Sequence, residues 1–160
     1  EVLLGVNSVA ECMRQQCYMG ATIVRYANRF VHGRFTLLGK TFLVSTNQVG
    51  HCLHGGLQGF ETRRGHIAVK SEQSVTFSLL SPDGDQVFPG NLTAHVTYTL
   101  PNANQLTIHY RATTDRATQV SLTNHAYFNL QGEQPVPTFR SHSIHIALDQ
   151  SLAINTEGHP

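Results

Sequence analysis

Charge is scarce in this sequence, and the charges that are present nearly cancel. Only 13% of the 160 residues are charged, where globular domains average about 25%. The 11 Lys and Arg residues and the 10 Asp and Glu residues leave a formal net charge of +1. The basic residues are scattered along the chain, so they indicate no positively charged surface for nucleic acid.

Tryptophan, long hydrophobic runs and a cysteine framework are missing as well. No apolar run approaches the roughly 18 residues that a membrane span requires, and the first residues lack the basic start and cleavage site of a secretory signal. Cys12, Cys17 and Cys52 cannot all pair, so we expect reduced thiols. We therefore expect a cytoplasmic protein that binds neither nucleic acid nor membrane.

Apolar residues, by contrast, are plentiful enough for a buried core, at 40% of a chain whose length suits about one domain. Apolar and polar residues alternate over 94–100 and 106–112, and the Pro and Asn residues of 101–104 predict the loop of a β-hairpin between them. Residues 75–80, 119–130 and 141–148 are also predicted strands. One short helix is predicted over residues 8–18, with Ser8 as its N-cap and Glu11 three residues later. The fold class is therefore all-β and mainly antiparallel.

Two of the 10 histidines stand out by their surroundings. His54 precedes Gly55 and Gly56, which permit positive φ and a close approach of the backbone to a ligand, so it suits a histidine presented into a cavity. The alternative is that the two glycines merely make a tight turn. His125 lies in SLTNHAYFNL, where polar residues interrupt an otherwise apolar strand, and such interruptions often mark a site because unpartnered buried polar groups are costly. The alternative there is a hydrogen-bonded core histidine.

Other polar groups offer weaker indications. His51, Cys52 and His54 lie together in HCLH, but the other cysteines are far away in the sequence, so we expect no metal site; a zinc protein using these three residues stays a minor alternative. Arg25, Asn28 and Arg29 form a polar group amid apolar residues. Their directional donors match hydroxyl oxygens, although a surface strand edge is equally compatible with the pattern.

Four segments together resemble the aldose 1-epimerase family, also called galactose mutarotases. They are GATIVRYANRFVHGRF (20–35), CLHGGLQGF (52–60), SPDGDQVFPGNLTAHVTYTL (81–100) and ATTDRATQVSLTNHAYFNLQG (112–132). The resemblance implies a large antiparallel β-sandwich. It also implies that residues 1–160 form part of one such domain, truncated at both ends.

The family interconverts the α and β anomers of hexoses such as galactose and glucose, in hexose metabolism and without a cofactor. A carboxylate takes the proton of the anomeric hydroxyl while an acid protonates the ring oxygen, and the opened ring recloses on its other face. By resemblance, His125 would be the proton donor to the ring oxygen and His54 would stabilise the developing charge. The sugar itself would contact a set of side chains and one backbone position, namely Asn28, Arg29, His54, Ala126 and Tyr127.

The resemblance also shows departures from the family pattern. Gly65 stands where a Trp is common, Val24 where a Gly is usual, and His51 where an Asn is usual. A β-branched Val24 at positive φ would strain the backbone. The family's C-terminal segment, with the general-base glutamate, is absent, so we expect the 160 residues alone to be inactive and expect unpaired strands to favour self-association. The alternative function is a non-catalytic sugar-binding module or a decayed gene product.

Overall fold

The computed structural model of the chain describes residues 2–132 and 140–156. By spatial clustering the chain divides into two compact units, one of residues 22–123 and one of residues 1–21 with 124–160. Within the described residues the regular elements are helix α1 (Val9–Arg14) and strands β1 (Thr22–Ile23), β2 (Arg29–Phe30), β3 (Arg34–Leu37), β4 (Lys40–Leu43), β5 (Cys52–Leu53), β6 (His66–Lys70), β7 (Ser74–Ser81), β8 (Leu92–Thr99), β9 (Thr107–Thr114) and β10 (Thr123–Asn124). None of the helices in this part of the chain has the length and apolar character that a membrane crossing requires.

The largest element of the 22–123 unit is an antiparallel four-stranded sheet in the order β6-β7-β8-β9. Strands β7 and β8 pair without interruption from Ser74 opposite Thr99 to Ser81 opposite Leu92. Strands β8 and β9 form the predicted hairpin, with Thr99 opposite Thr107 at its closed end. Leu92, Ala94 and Val96 on β8 are buried on one face, which confirms the alternation predicted for this region.

Two shorter antiparallel pairs in the same unit surround an aromatic core. Strand β2 pairs with β5, and β3 pairs with β4. Their inward side chains form one cluster with a residue of the loop before β8, comprising Phe30, Phe35, Val44, Cys52 and Phe88. A second cluster packs under the four-stranded sheet and comprises Val24, Phe60, Leu92 and Ala94. These clusters fix the segments around β2 and β5, where Asn28, Arg29 and His54 lie.

The other unit is dominated by irregular backbone. Helix α1 covers only the first part of the predicted helix, but its N-terminus is as expected: the Ser8 Oγ accepts the Glu11 N–H at 3.2 Å, and the Glu11 carboxylate accepts the Asn7 N–H at 2.9 Å. The chain leaves helical geometry at Gln15. Before the helix, residues 2–4 lie beside residues 127–129, and the Leu4 N–H donates to the Tyr127 carbonyl at 2.8 Å.

The strand predicted over residues 119–130 is mostly wrong, and the one predicted over residues 141–148 is wrong. Of residues 119–130 only Thr123–Asn124 are in a strand, and residues 141–148 contain none. The alternating residues of the latter segment, Ile144, Ile146 and Leu148, are 85%, 59% and 73% exposed. Alternation shows which residues would share a face of a sheet, but a strand also needs a hydrogen-bonding neighbour, and no strand of the described residues pairs with this segment.

Candidate functional site

His54 and Asn28 are joined by hydrogen bonds in both directions. The β2–β5 pairing sets Arg29 opposite Leu53, so Asn28 comes to lie beside His54. The Asn28 N–H donates to His54 Nδ1 at 3.1 Å, and the His54 N–H donates to the Asn28 carbonyl at 3.0 Å. A ring nitrogen that accepts a backbone N–H carries no proton. Neutral His54, which is half-buried, therefore has its proton on Nε2 and donates hydrogen bonds through that nitrogen.

The two glycines after His54 are required by the geometry of the loop. His54, Gly55 and Gly56 all have positive φ, at 53°, 91° and 102°. A Cβ on Gly55 would lie 2.6 Å from the Val24 carbonyl oxygen, and one on Gly56 would lie 2.9 Å from the Gln86 side chain. The predicted positive φ is thus confirmed, and the close approach that glycine permits is to the protein's own backbone at Val24.

Asn47 closes this loop from the other side. Its side-chain amide donates to the carbonyls of Leu53 and Gly56, both at 3.0 Å, and its oxygen accepts the Leu53 N–H at 2.7 Å. One side chain therefore satisfies both ends of the turn that carries His54. Asn47 was not predicted, since nothing in the local sequence pattern distinguishes it from a turn asparagine.

Arg29 is fixed by two amide oxygens. Its Nε donates to Gln48 Oε1 at 2.7 Å, and its Nη1 donates to Asn28 Oδ1 at 3.0 Å. A guanidinium has five N–H groups in a rigid fork, so this arrangement leaves donors for further oxygens while holding the plane of the group. Gln48 was not predicted, and it is the residue that orients Arg29.

Arg25 does not belong to this group, and neither of its predicted roles is correct. It is 2% exposed, and its guanidinium donates to Ser81 Oγ at 2.8 Å, to Thr118 Oγ1 at 3.2 Å and to several carbonyl oxygens of residues 81–90. Burial lowers the pKa of the Arg25 guanidinium below its ordinary value, and the nearby carboxylates of Asp85 and Asp83 act in the opposite direction. Arg25 ties the segment before Asn28 to the interior.

Asp85 lies in the same interior network. Arg63 binds its carboxylate through two N–H groups at 2.7 and 2.6 Å, and the Ser81 hydroxyl donates to it as well. Burial alone would raise the pKa of Asp85, but the hydrogen bonds from Arg63 and Ser81 outweigh it, so the pKa lies below its ordinary value. Asp85 is therefore an ionised structural partner.

His125 lies in the second unit, where its backbone and its ring are both in contact with the segment after α1. The His125 N–H donates to the Ala21 carbonyl at 2.8 Å, and the Gly20 N–H donates to the His125 carbonyl at 3.0 Å. Its imidazole is 5.7 Å from the Tyr18 ring and 5.2 Å from the Tyr127 ring, between ring centroids. His125 is half-buried, so it is no core histidine.

The remaining two predicted contact residues flank His125. The Tyr127 hydroxyl donates to the Cys17 carbonyl at 3.0 Å, and the Tyr127 side chain remains 38% exposed. Ala126 donates its N–H to Asn124 Oδ1 at 2.9 Å, so its backbone N–H is already engaged within the protein. The structure thus brings together Asn28, Arg29 and His54 within one unit, and His125, Ala126 and Tyr127 within the other.

The HCLH segment is poorly suited to bind zinc. His51 Nδ1 accepts the His32 N–H at 3.0 Å, so one of its two nitrogens is already engaged. Cys52 is 1% exposed, and burial raises the pKa of its thiol to about 11, although a backbone hydrogen bond from Gly55 acts the other way. Zinc binds the thiolate, which this environment disfavours. Across residues 2–132 and 140–156, no three His, Cys, Asp or Glu side chains are grouped to hold a metal ion.

The departure at Val24 is milder than expected, and the structure leaves room for a Cβ at Gly65. Val24 is not among the residues with positive φ, so the predicted strain is absent. It is buried with 3% exposure and packs in the second core cluster. A Cβ on Gly65 would meet the Ser78 carbonyl oxygen at 3.4 Å and Phe77 Cβ at 3.8 Å, so a side chain at this position would make ordinary contacts.

The profile of the aldose 1-epimerase family matches residues 1–160, the entire chain. The chain belongs to the aldose 1-epimerase family. It is 45% identical over 161 residues to the aldose 1-epimerase of Escherichia coli strain K12, covering 100% of this chain and 46% of that protein. It is 40% identical over 155 residues to human galactose mutarotase, covering 97% of this chain and 44% of that protein. The chain thus spans about half the length of the curated relatives it matches.

Solved structures of this family have the same fold. The GalM/aldose epimerase homologue from C. elegans superimposes with a TM-score of 0.77 at 36% identity, over 82% of this chain and 40% of that one. Galactose 1-epimerase from Lactobacillus acidophilus does so with a TM-score of 0.73 at 28% identity, over 81% and 40% of the two chains. The predicted all-β fold of the galactose mutarotase type, present in part, is confirmed.

Proposed function

We propose that this chain supplies the two histidines, His54 and His125, of a site that interconverts the α and β anomers of hexoses such as galactose and glucose. The observation that carries the proposal is the Asn28–His54 hydrogen-bond pair, which turns His54 Nε2 into a fixed donor. Arg29, held by Gln48 and Asn28, is a second donor group oriented by its neighbours. Donors fixed in this way suit the oxygens of a neutral sugar.

In the proposed reaction a carboxylate removes the proton of the anomeric hydroxyl. The C1–O bond to that oxygen becomes a carbonyl, the bond from C1 to the ring oxygen breaks, and its electron pair stays on the ring oxygen. His125 gives that oxygen a proton, and the His54 Nε2–H stabilises the charge that develops there. After rotation about the C1–C2 bond, the same transfers run in reverse on the other face of the aldehyde.

We propose that the carboxylate base is not supplied by the 22–123 unit. Asp85 is engaged by Arg63 and Ser81, Asp83 accepts the Gly90 N–H at 2.6 Å, and Asp115 binds the Asn91 side chain at 2.6 Å. Burial raises the pKa of the Glu61 carboxyl above its ordinary value, and this carboxyl lies against Gly59. Glu72 is exposed in the turn between β6 and β7. We expect the 160 residues alone to bind hexose without catalysing mutarotation.

Polarimetry of freshly dissolved α-D-galactose and α-D-glucose tests these statements. The 160-residue chain alone should leave the spontaneous rate unchanged, and a fusion to the remaining C-terminal part of the E. coli relative should accelerate it. His125→Ala in the fusion should reduce the rate about 100-fold or more. His109→Ala, on an exposed position of β9, is the matched control and should have no effect.

Each outcome decides a different statement. An active fusion that is unaffected by His125→Ala would refute the acid role of His125. Mutarotation by the 160 residues alone would refute the statement about the base. A fusion that binds hexose, as detected by saturation-transfer NMR, yet shows no activity would favour the alternative of a non-catalytic sugar-binding module.

The proposed location is the cytoplasm. Cys12, Cys17 and Cys52 are all free, and a reducing compartment preserves free thiols. We further propose self-association through exposed apolar residues such as Ile144 and Leu148. The hexose is the proposed ligand, and no cofactor, metal, nucleic acid or membrane partner is part of the proposal.

A further inference from the structure

Tyr18 is placed by an ordered turn between α1 and β1. The Gln15 side-chain oxygen accepts the N–H groups of Cys17 and Met19, at 3.0 and 3.1 Å. The Ala21 N–H donates to the Tyr18 carbonyl at 2.9 Å, and Tyr18 itself has a φ of 57°. A non-glycine residue in the left-handed region is uncommon and needs support from its surroundings. These bonds supply that support and fix where the Tyr18 side chain begins.

The same turn is attached to the backbone of His125. Gly20 and Ala21 exchange hydrogen bonds with the His125 carbonyl and N–H, at 3.0 and 2.8 Å. The Cys17 carbonyl accepts the Tyr127 hydroxyl at 3.0 Å. Residues on both sides of Tyr18 therefore hold the segment that contains His125, so hydrogen bonds between the two segments set the distance between the two side chains.

The rings of Tyr18 and His125 are in contact. Their centroids are 5.7 Å apart with an interplanar angle of 32°, and both residues are half-buried. Tyr127 contributes a second ring contact at 5.2 Å and 35°. Offset contacts of this kind are favourable and depend on ring orientation, so they restrict rotation of the imidazole.

We propose that Tyr18 is a positioning residue that holds the His125 imidazole in one rotamer and so aims its proton at the ring oxygen of a bound hexose. The inference rests on the proposed function for the identity of the ligand, but the ring contact itself does not. Tyr18 acts through His125 and is not itself assigned a contact with the sugar. Because the ring supplies the contact, the Tyr18 hydroxyl is dispensable for this role and Phe should replace it.

Nuclear magnetic resonance of the 160-residue chain, labelled at histidine and tyrosine, measures the proposed role directly. In the unsubstituted chain we expect cross-relaxation between Tyr18 and His125 ring protons, and three-bond couplings of His125 typical of one χ1 rotamer. Tyr18→Leu should shift these couplings toward rotamer averaging. Tyr18→Phe should restore the values of the unsubstituted chain. Couplings of His109, on β9, should be the same in all three proteins.

Addition of galactose provides the functional part of the test. Galactose should perturb the His125 resonances of the unsubstituted chain and of Tyr18→Phe, and the midpoint concentration should rise about fivefold in Tyr18→Leu. If galactose perturbs no histidine in any of the proteins, the proposed function fails while the couplings still decide the role of Tyr18.

Two results would overturn the inference. One is a single His125 rotamer in Tyr18→Leu, which would show that the ring does not restrict the imidazole. The other is the absence of cross-relaxation between the two rings in the unsubstituted chain. The second measurement needs no variant, so the inference stays open to refutation even where Tyr18→Leu fails to fold.

Discussion

The imidazole rings of the two candidate catalytic histidines are held by different kinds of contact. His54 is fixed by main-chain geometry. It exchanges a pair of hydrogen bonds with Asn28, and it lies in a loop of residues with positive φ in which Gly55 closely approaches the Val24 carbonyl oxygen. The ring of His125 contacts the rings of Tyr18 and Tyr127. Main-chain geometry tolerates few substitutions because each Cβ must fit, whereas ring contacts tolerate any flat side chain of similar size. The His54 loop should therefore be the more sensitive of the two to small changes.

The largest difference should follow from the same substitution made in both regions. Gly55→Ala places a Cβ 2.6 Å from the Val24 carbonyl oxygen at a φ of 91°, so we expect a loss of about 3 kcal/mol in the free energy of unfolding. Gly20→Ala, beside His125, has a φ of 71° but no atom within 4 Å, so only the backbone strain of about 1 kcal/mol remains. Urea unfolding of both variants measures the difference.

Gly39→Ala serves as a control within the same unit as Gly55. Gly39 has a φ of 75° and open space around its Cα, so its substitution should cost about as much as that of Gly20. Equal losses for Gly55→Ala and Gly39→Ala would show that the approach to Val24 is unimportant. The His54 loop would then be no more restrictive than an ordinary turn.

These glycines also show how much of the site was accessible from sequence. Two adjacent glycines follow His54, and glycine adopts positive φ without steric cost, so positive φ was predicted correctly in this loop. The motifs around His54 and His125 likewise indicated the family. The contacts that hold the site could not be predicted in this way. Gln48 lies far in sequence from Arg29, and Tyr18 lies far from His125. Neither a glutamine nor a tyrosine indicates by its residue type which side chain it will contact.

The same distinction explains the fold predictions. Strands β7, β8 and β9 follow one another, and each finds its partner in the next, so alternation and a hairpin loop were sufficient. Residues 141–148 alternate just as well but pair with no strand of the described residues. Arg25 was misplaced for a related reason: its acceptors are carbonyl oxygens of a distant loop, and no pattern in the sequence marks a carbonyl as available.

Acid should weaken the network beneath the His54 loop. The lowered pKa of Asp85 means that its stabilising effect is complete above its ordinary value of 3.8 and is lost as the pH falls through the lower folded value. Asp85→Asn should cost about 2 kcal/mol at pH 7 and at pH 5, and the difference from the unsubstituted protein should shrink only as the pH falls below 3.8. Urea unfolding at pH 7, 5 and 3 measures it. Asp115→Asn, at a fully exposed carboxylate, should have a smaller effect; an equal one would contradict the importance of burial.

Thiol reactivity should distinguish the two histidine regions without altering stability. Cys52, two residues before His54, is 1% exposed, and burial raises its pKa to about 11, so at pH 8 its thiolate fraction is roughly a hundredth of that of a thiol at the ordinary 9.0. Cys17, next to Tyr18, is exposed, as is Cys12. Iodoacetamide followed by mass spectrometry should therefore show two rapid additions, with the third only in denaturant. Rapid labelling of Cys52 in the native protein would mean that the main chain around His54 opens readily, and the region would then be no more rigid than the one that contains His125.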